Sequence, residues 1–174
     1  MKKYLESVVI AEPNCCVPAA LEMVLRHHGI MTLSQRDLAG QLDIIPASEE
    51  IGHCHWGAQI KQDTINNLFS ANNISLYETY IPITQFMDEY SMVEKINRLL
   101  HDDSSIICGF SYTALFANCE DSFQHVSIIV DISENEEEIL LLDPGPKDAG
   151  YKTVRAVDLF YAIRVARDGL WCIK

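Results

Sequence analysis

The sequence lacks any long apolar run. No window approaches the ~18 uninterrupted apolar residues that a membrane span needs, so no membrane-spanning segment is expected. At the amino terminus, Glu6 and Glu12 bracket an apolar run that covers only residues 8–11, which is too short and wrongly flanked for a secretion signal. Basic residues are scarce as well: 13 Lys+Arg stand against 25 Asp+Glu, a formal charge of −12. No local basic patch opposes that field, which excludes nucleic acid and anionic membrane surfaces as expected partners. The six cysteines, Cys15, Cys16, Cys54, Cys108, Cys119 and Cys172, show no regular spacing. Without a secretion signal they read as reduced thiols, and a cytoplasmic location is the expectation. Internal repeats, low-complexity stretches and linkers are absent, and so is a phosphate-binding glycine loop, because neither Gly145 nor Gly150 is followed directly by Lys-Ser/Thr. There is no Gly-x-Ser-x-Gly either.

What is present is the composition of a globular chain: 174 residues, 48% hydrophobic and 22% charged. That length and balance predict one domain over 1–174 with a real core. Apolar residues at 17, 20, 21, 24 and 25 have helical spacing, with Pro18 suited to a first turn and Gly29 to the position just past the end. Ser34 is a favoured N-cap for a short helix over 34–41, 43–56 reads as loop, and a third helix is expected over about 58–72. Residues 74–81 alternate like a strand that Pro82 ends, and 89–101 carries a core-facing helical stripe through Met92, Val93, Ile96, Leu99 and Leu100. Beyond that point the period changes. The runs at 105–110, 125–131 and 139–142 are short and apolar or β-branched, followed by a helix over about 156–166 and a terminal strand over 170–173. Helices first and strands later, without βαβ alternation, predict an α+β fold with an antiparallel sheet. The acidic run 133–138 reads as a solvated hairpin loop.

Chemistry concentrates at element ends. Cys15 and Cys16 sit immediately before the first helix, where free N–H groups and the positive end of the dipole favour thiolate over thiol. Cys16 is nearer the helix start set by Pro18, and a pair of small buried apolar residues is the plainer reading of the two thiols. A cysteine nucleophile needs a base, and the base needs a group that fixes its tautomer. His125 opens a predicted core strand. If 125–131 and 138–143 form a hairpin, paired positions sum to about 269, which sets His125 opposite Pro144 and beside Asp143. A strand-end histidine with ordinary hydrogen bonds and a turn residue opening Asp143-Pro144-Gly145-Pro146 are the alternatives for these two.

The run Cys16-Val17-Pro18-Ala19-Ala20-Leu21-Glu22-Met23-Val24-Leu25-Arg26-His27-His28-Gly29 resembles the Cys-Gly-Pro-Ala-x-x-x-Met-x-Leu-x-Tyr-Tyr-Gly opening of a known family. That family is the papain-like cysteine peptidases related to the bacteriocin-processing, double-glycine-leader peptidase domains of ABC exporters. His125-Val126-Ser127-Ile128-Ile129-Val130 and Ile139-Leu140-Leu141-Leu142-Asp143-Pro144 are similar to its His-strand and Asp-Pro pair, and the likeness spans nearly the whole chain. The resemblance implies a papain-like α+β fold in a stand-alone member, with Cys16 as nucleophile, His125 as base and Asp143 as orienter. Two positions depart from the pattern. Ile10 stands where the family usually has an oxyanion-hole Gln, about six residues before the nucleophile, and no glutamine lies upstream of Cys16. Val17 replaces the usual Gly, adding a side chain where substrate backbone would approach. Asn14 is the candidate side-chain donor for the missing amide, and Trp56 is a candidate stacking surface for substrate.

The readings that follow are a cysteine peptidase or amidase working through an acyl-enzyme, an acyltransferase in which an amine replaces water, and an inactive member that binds a peptide or partner protein. In the last of these an acidic surface would select basic segments. A peptide or protein is the expected substrate or partner, with no cofactor and no metal. His53-Cys54-His55 has metal-capable side chains, but no second ligand pair with usual spacing accompanies it, so a polar loop is the better reading. His27-His28 at a helix end reads as capping.

Overall fold

The computed structural model describes residues 9–12, 14–44, 60–61, 63–116, 124–145 and 148–174. Helix α1 (Cys16–His27) begins at the thiol that the sequence singles out. It ends as Gly29 requires: with φ +77 just past the C-cap His28, Gly29 donates its N–H to the Arg26 carbonyl at 2.9 Å and Ile30 donates to Leu25 at 2.8 Å. A side chain at that φ would be strained, so the glycine terminates the helix. Helix α2 (Gln35–Gln41) starts at Ser34, whose hydroxyl accepts the Asp37 N–H while Asp37 accepts the Ser34 N–H, a reciprocal cap that sets the boundary at the predicted residue. Helix α3 (Thr64–Ala71) starts later than the periodicity predicts, because Asp63 is left-handed at φ 62 and a turn from Lys61 to Thr64 precedes it. Residues 58, 59 and 62 of the predicted helix lie outside the described residues, as does most of the 43–56 loop.

Strand β1 (Glu78–Pro82) is shorter than the predicted 74–81, since Ile74 and Leu76 pack under the helices as irregular chain. Asn66 of α3 stands in for a neighbouring strand there: its Oδ1 accepts the Glu78 N–H at 2.7 Å and its Nδ2 donates to the Glu78 carbonyl at 2.9 Å. Helix α4 (Glu89–His101), strands β2 (Ser105–Ser111), β3 (Gln124–Ile132) and β4 (Glu138–Asp143), helix α6 (Ala156–Ala166) and strand β6 (Gly169–Ile173) fall where the sequence puts them, within a residue or two. Two further elements carry no clear sequence signal: the single turn α5 (Tyr112–Leu115) and the edge strand β5 (Gly150–Arg155).

The strands form one antiparallel sheet in the order β1-β6-β2-β3-β4-β5. Alternate residues on each strand serve opposite faces. Ile107, Ile128, Leu142 and Trp171 pack with α1, α2 and α3, whereas Ile106, Ile129, Leu141 and Leu170 pack with α4 and α6. Helix α1 is deeply sunk, with every side chain from Val17 to Leu25 buried. Its one buried charge, Glu22, pairs with Arg26 and accepts the Gln35 N–H at 2.6 Å, joining α1 to the start of α2. The β3–β4 register differs from that of the predicted hairpin. Near the turn Ile132 faces Ile139, two residues off the predicted pairing, and an irregularity between Ile129 and Asp131 that adds a residue on β3 brings Ile128 opposite Leu142, one residue off. No helix among the described residues is long and apolar enough to cross a membrane.

Candidate active site

Cys16 is the first residue of α1 and is half-buried. The N-cap, Cys15, offers no side-chain cap, and Pro18 has no N–H, so the backbone N–H groups of Cys16 and Val17 are the donors at this helix end. The neighbouring Cys15 turns the other way: it is buried in a small cluster with Ala39 and Ile44, and burial, with Glu12 and Cys16 nearby, pushes its thiol up. It packs, as one of the two readings anticipates. Cys108 and Cys172, the other described cysteines, are buried free thiols within strands.

His125 stands near the start of β3 and is 4% exposed. Its Nε2 lies 2.9 Å from Oδ1 of Asp143, the last residue of β4, which is fully buried. With Nε2 given to the carboxylate, Nδ1 is the ring nitrogen left to meet the thiol, and the Cys16 side chain hydrogen-bonds this imidazole. The sheet therefore brings together all three residues whose combination the sequence suggests, from α1, β3 and β4. Burial opposes the imidazolium, but the Asp143 hydrogen bond and the adjacent Cys16 outweigh it and raise His125 to about 9. Burial likewise opposes an ionised Asp143, yet its hydrogen bond to His125, the His125 charge, the Gly145 N–H at 2.7 Å and Lys152 hold it below the usual carboxylate range. Asp143 thus serves both of its sequence readings at once, since the bond to Gly145 is a turn contact and the bond to His125 a site contact.

The imidazole is also walled in. Phe110, opposite His125 in the β2–β3 register, and Tyr112 of α5 stand edge-on to the ring, with centroids at 5.6 Å and 5.3 Å. Behind Asp143, Lys152 Nζ lies 3.1 Å from Oδ2. Sequence reasoning misses these three residues. A count of the β2–β3 pairing would have found Phe110, but Tyr112 and Lys152 belong to the two elements that carry no periodic signal.

The remaining candidates separate. Val17 is buried in the core on the α1 side, 5% exposed, so its side chain faces the interior and does not stand in an open cleft. Asn14 occupies a left-handed position (φ 63) in the turn closed by the Cys15 N–H to the Glu12 carbonyl. Ile10, at the usual glutamine position, is 62% exposed, and its carbonyl accepts from Gln35 Nε2 at 2.9 Å. Gln35 also accepts the Glu12 N–H, and the Ala11 N–H reaches the Pro144 carbonyl at 2.8 Å, so the segment before the nucleophile is tied to both α2 and the end of β4. Trp56 and the His53-Cys54-His55 run lie outside the described residues. Among the described residues no three His, Cys, Asp or Glu side chains form a metal-binding group.

A thiol at a helix start and an imidazole–carboxylate pair on an antiparallel sheet are the arrangement of a papain-like cysteine peptidase fold. The chain belongs to the Peptidase_C39 like family, whose model matches residues 3–163. Among solved structures it is similar to one from Bacillus anthracis assigned as a C39-like peptidase, with a TM-score of 0.65 at 13% identity, over 100% of this chain and 98% of that one. No curated protein matches. Family and fold together support a function of the cysteine peptidase type.

Proposed function

We propose that the protein is a cysteine peptidase or amidase that cleaves a peptide-type bond through Cys16, His125 and Asp143. The observation that carries this reading is the buried His125 Nε2–Asp143 Oδ1 contact of 2.9 Å on an imidazole that also hydrogen-bonds Cys16. His125 takes the Cys16 proton at Nδ1, and the sulfur attacks the substrate carbonyl. The oxyanion develops against backbone N–H groups at the start of α1, which are fixed in place before substrate arrives. The imidazolium then returns its proton to the leaving amine, giving a thioester. Water, deprotonated by the same imidazole, hydrolyses the thioester and frees the thiol. Asp143 keeps the Nε2 proton directed at itself throughout, which maintains Nδ1 as the nitrogen that faces sulfur. An amine in place of water would give acyl transfer with the same residues.

A specific observation favours a second reading. Ile10 supplies no side-chain amide at the usual glutamine position, and removing one oxyanion donor costs on the order of 2.7–4 kcal/mol of transition-state stabilisation. Such a loss suits a member that binds a peptide without cutting it.

Alkylation by iodoacetamide, mapped cysteine by cysteine between pH 4 and 9, separates the two. For the enzyme, Cys16 alone reacts fast below pH 7, and His125→Ala slows it by about tenfold or more at pH 6, in line with the loss of a positioned base, while the folded state remains. A Cys16 that alkylates no faster than an ordinary thiol, unchanged by His125→Ala, would overturn the catalytic reading in favour of the binding one.

A further inference from the structure

Asp143 is shared between two cations. Its Oδ1 faces His125 and the Gly145 N–H, while its Oδ2 faces Lys152 Nζ at 3.1 Å. A fully buried carboxylate needs donors on both oxygens, and Lys152 provides the one for Oδ2. The register makes this contact a property of the sheet. Leu141 faces Lys152 and Asp143 faces Gly150, so Lys152 and Asp143 are diagonal neighbours on one face of the β4–β5 pair. The ammonium is itself held: it lies 4.9 Å from the Phe116 ring centroid and 5.4 Å from that of Tyr112, with the Tyr112 hydroxyl at 3.5 Å. The Tyr112 ring is the same one that stands against the imidazole. Lysine and imidazole therefore share the Tyr112 ring.

We propose that Lys152 is a positioning residue of this site: it fixes the Asp143 carboxylate by Oδ2 so that Oδ1 is presented to His125 Nε2, and by sharing that carboxylate's charge it sets the pH at which His125 releases its proton. The inference rests on the reading of Cys16, His125 and Asp143 as the catalytic group and adds a residue that supports it through Asp143. The groups that face the pair are Cys16 from α1, Tyr112 from α5, Lys152 from β5 and, farther off, the Cys108 thiol of β2, whose burial keeps it protonated well above the ordinary thiol range. Lys152 is the cation among these that competes with the imidazolium. Its removal leaves His125 as the charged partner of the carboxylate, beside the Gly145 N–H, and the imidazolium then holds its proton to higher pH.

The test is an NMR titration of the His125 ring in the full chain, with Cys16 alkylation followed over the same pH series, for wild type, Lys152→Met and Lys152→Arg. Lys152→Met is expected to raise the His125 midpoint by about one pH unit and to carry the alkaline limb of Cys16 alkylation up with it. Lys152→Arg, which keeps the charge, leaves both near wild type. If Lys152→Met does not fold, Lys152→Gln takes its place, retaining a donor to Oδ2 while dropping the charge, with the same upward shift expected. An unchanged or lowered midpoint in the neutral variant overturns the proposal. A lysine that merely filled space would leave the midpoint where it is and would not be rescued by arginine. The two readings fail separately: a shifted His125 midpoint beside an unreactive Cys16 removes the catalytic function and keeps Lys152's hold on the imidazole, whereas a reactive Cys16 with an unshifted midpoint removes Lys152 alone.

Discussion

At the scale of single residues, the protonation of His125 couples the site to the stability of the fold. Its value is raised from 6.5 to about 9 against the pull of burial, by Asp143 and Cys16. A group whose folded value is raised contributes stability that is fully present below its unfolded value and is lost as pH rises through the folded one. His125 therefore stabilises the fold at pH 6 and ceases to do so between about 6.5 and 9. Asp143, lowered by His125, Gly145 and Lys152 despite its burial, has the opposite sign: its contribution is present above the ordinary carboxylate range and is lost as pH falls through its lower folded value. Thermal unfolding of wild type followed from pH 6 to pH 10 is expected to show a falling midpoint, and His125→Gln, which cannot charge, is expected to flatten that limb. An equally steep fall in the variant would place the alkaline loss elsewhere. The sequence makes the three central residues legible because each sits at an element end where chemistry and geometry coincide. Lys152 is invisible at that stage because Gly150-Tyr151-Lys152-Thr153-Val154-Arg155 is a half-exposed edge strand whose alternation is not one of polar against apolar. Nothing local marks its ammonium as different from any solvated lysine.

At the scale of elements, boundaries were readable where a specific side chain enforces them and unreadable where tertiary contacts do. Ser34 and Gly29 mark their helix ends by chemistry that the chain carries with it, whereas the late start of α3 depends on a left-handed Asp63, and the shortened β1 depends on Asn66 reaching across to Glu78. The four residues of α5 are too few to show a period. The β3–β4 register changes by one residue partway along the ladder, at a bulge that no pairing count reveals. Gly109, in the central strand β2, is another position whose meaning appears only in three dimensions. A Cβ there would stand 2.1 Å from Asp168 Oδ2, and that carboxylate accepts the Gly169 N–H at 2.8 Å and the Tyr80 hydroxyl at 3.4 Å through Oδ1. The glycine thus admits a partly buried acid that ties the start of β6 to β1 and β2. Gly109→Ala is expected to cost about 1–3 kcal/mol, the usual range for overpacking, read as a lowered denaturant midpoint. Because the strain falls on Asp168 and not on His125, the folded variant is expected to keep the Cys16 alkylation profile of wild type. A variant as stable as wild type would mean that Asp168 has another place to go.

At the scale of the whole molecule, the site joins two layers that are held together by hydrophobic burial. Cys16 enters from the helical layer through α1, and His125, Asp143 and Lys152 belong to the sheet, with Val17, Val126, Ile128 and Leu142 packed in the core between them. In the proposed reaction a substrate carbonyl must therefore reach the seam between layers, under the field of a chain whose formal charge is −12. That field raises the local concentration of cations and slows the approach of anions. For a peptide substrate of the proposed kind, segments flanked by Lys or Arg are expected to be bound and turned over faster than otherwise identical segments flanked by Asp or Glu. The difference resides in kcat/KM, since steering acts on encounter and not on the chemical step proposed at Cys16. Raising the salt from about 0.01 M to 1 M contracts the Debye length from about 30 Å to 3 Å, so the preference is expected to shrink severalfold across that range while kcat stays nearly constant. A preference that persists in 1 M salt would locate the discrimination in direct contacts within the seam and would remove the role assigned here to overall charge.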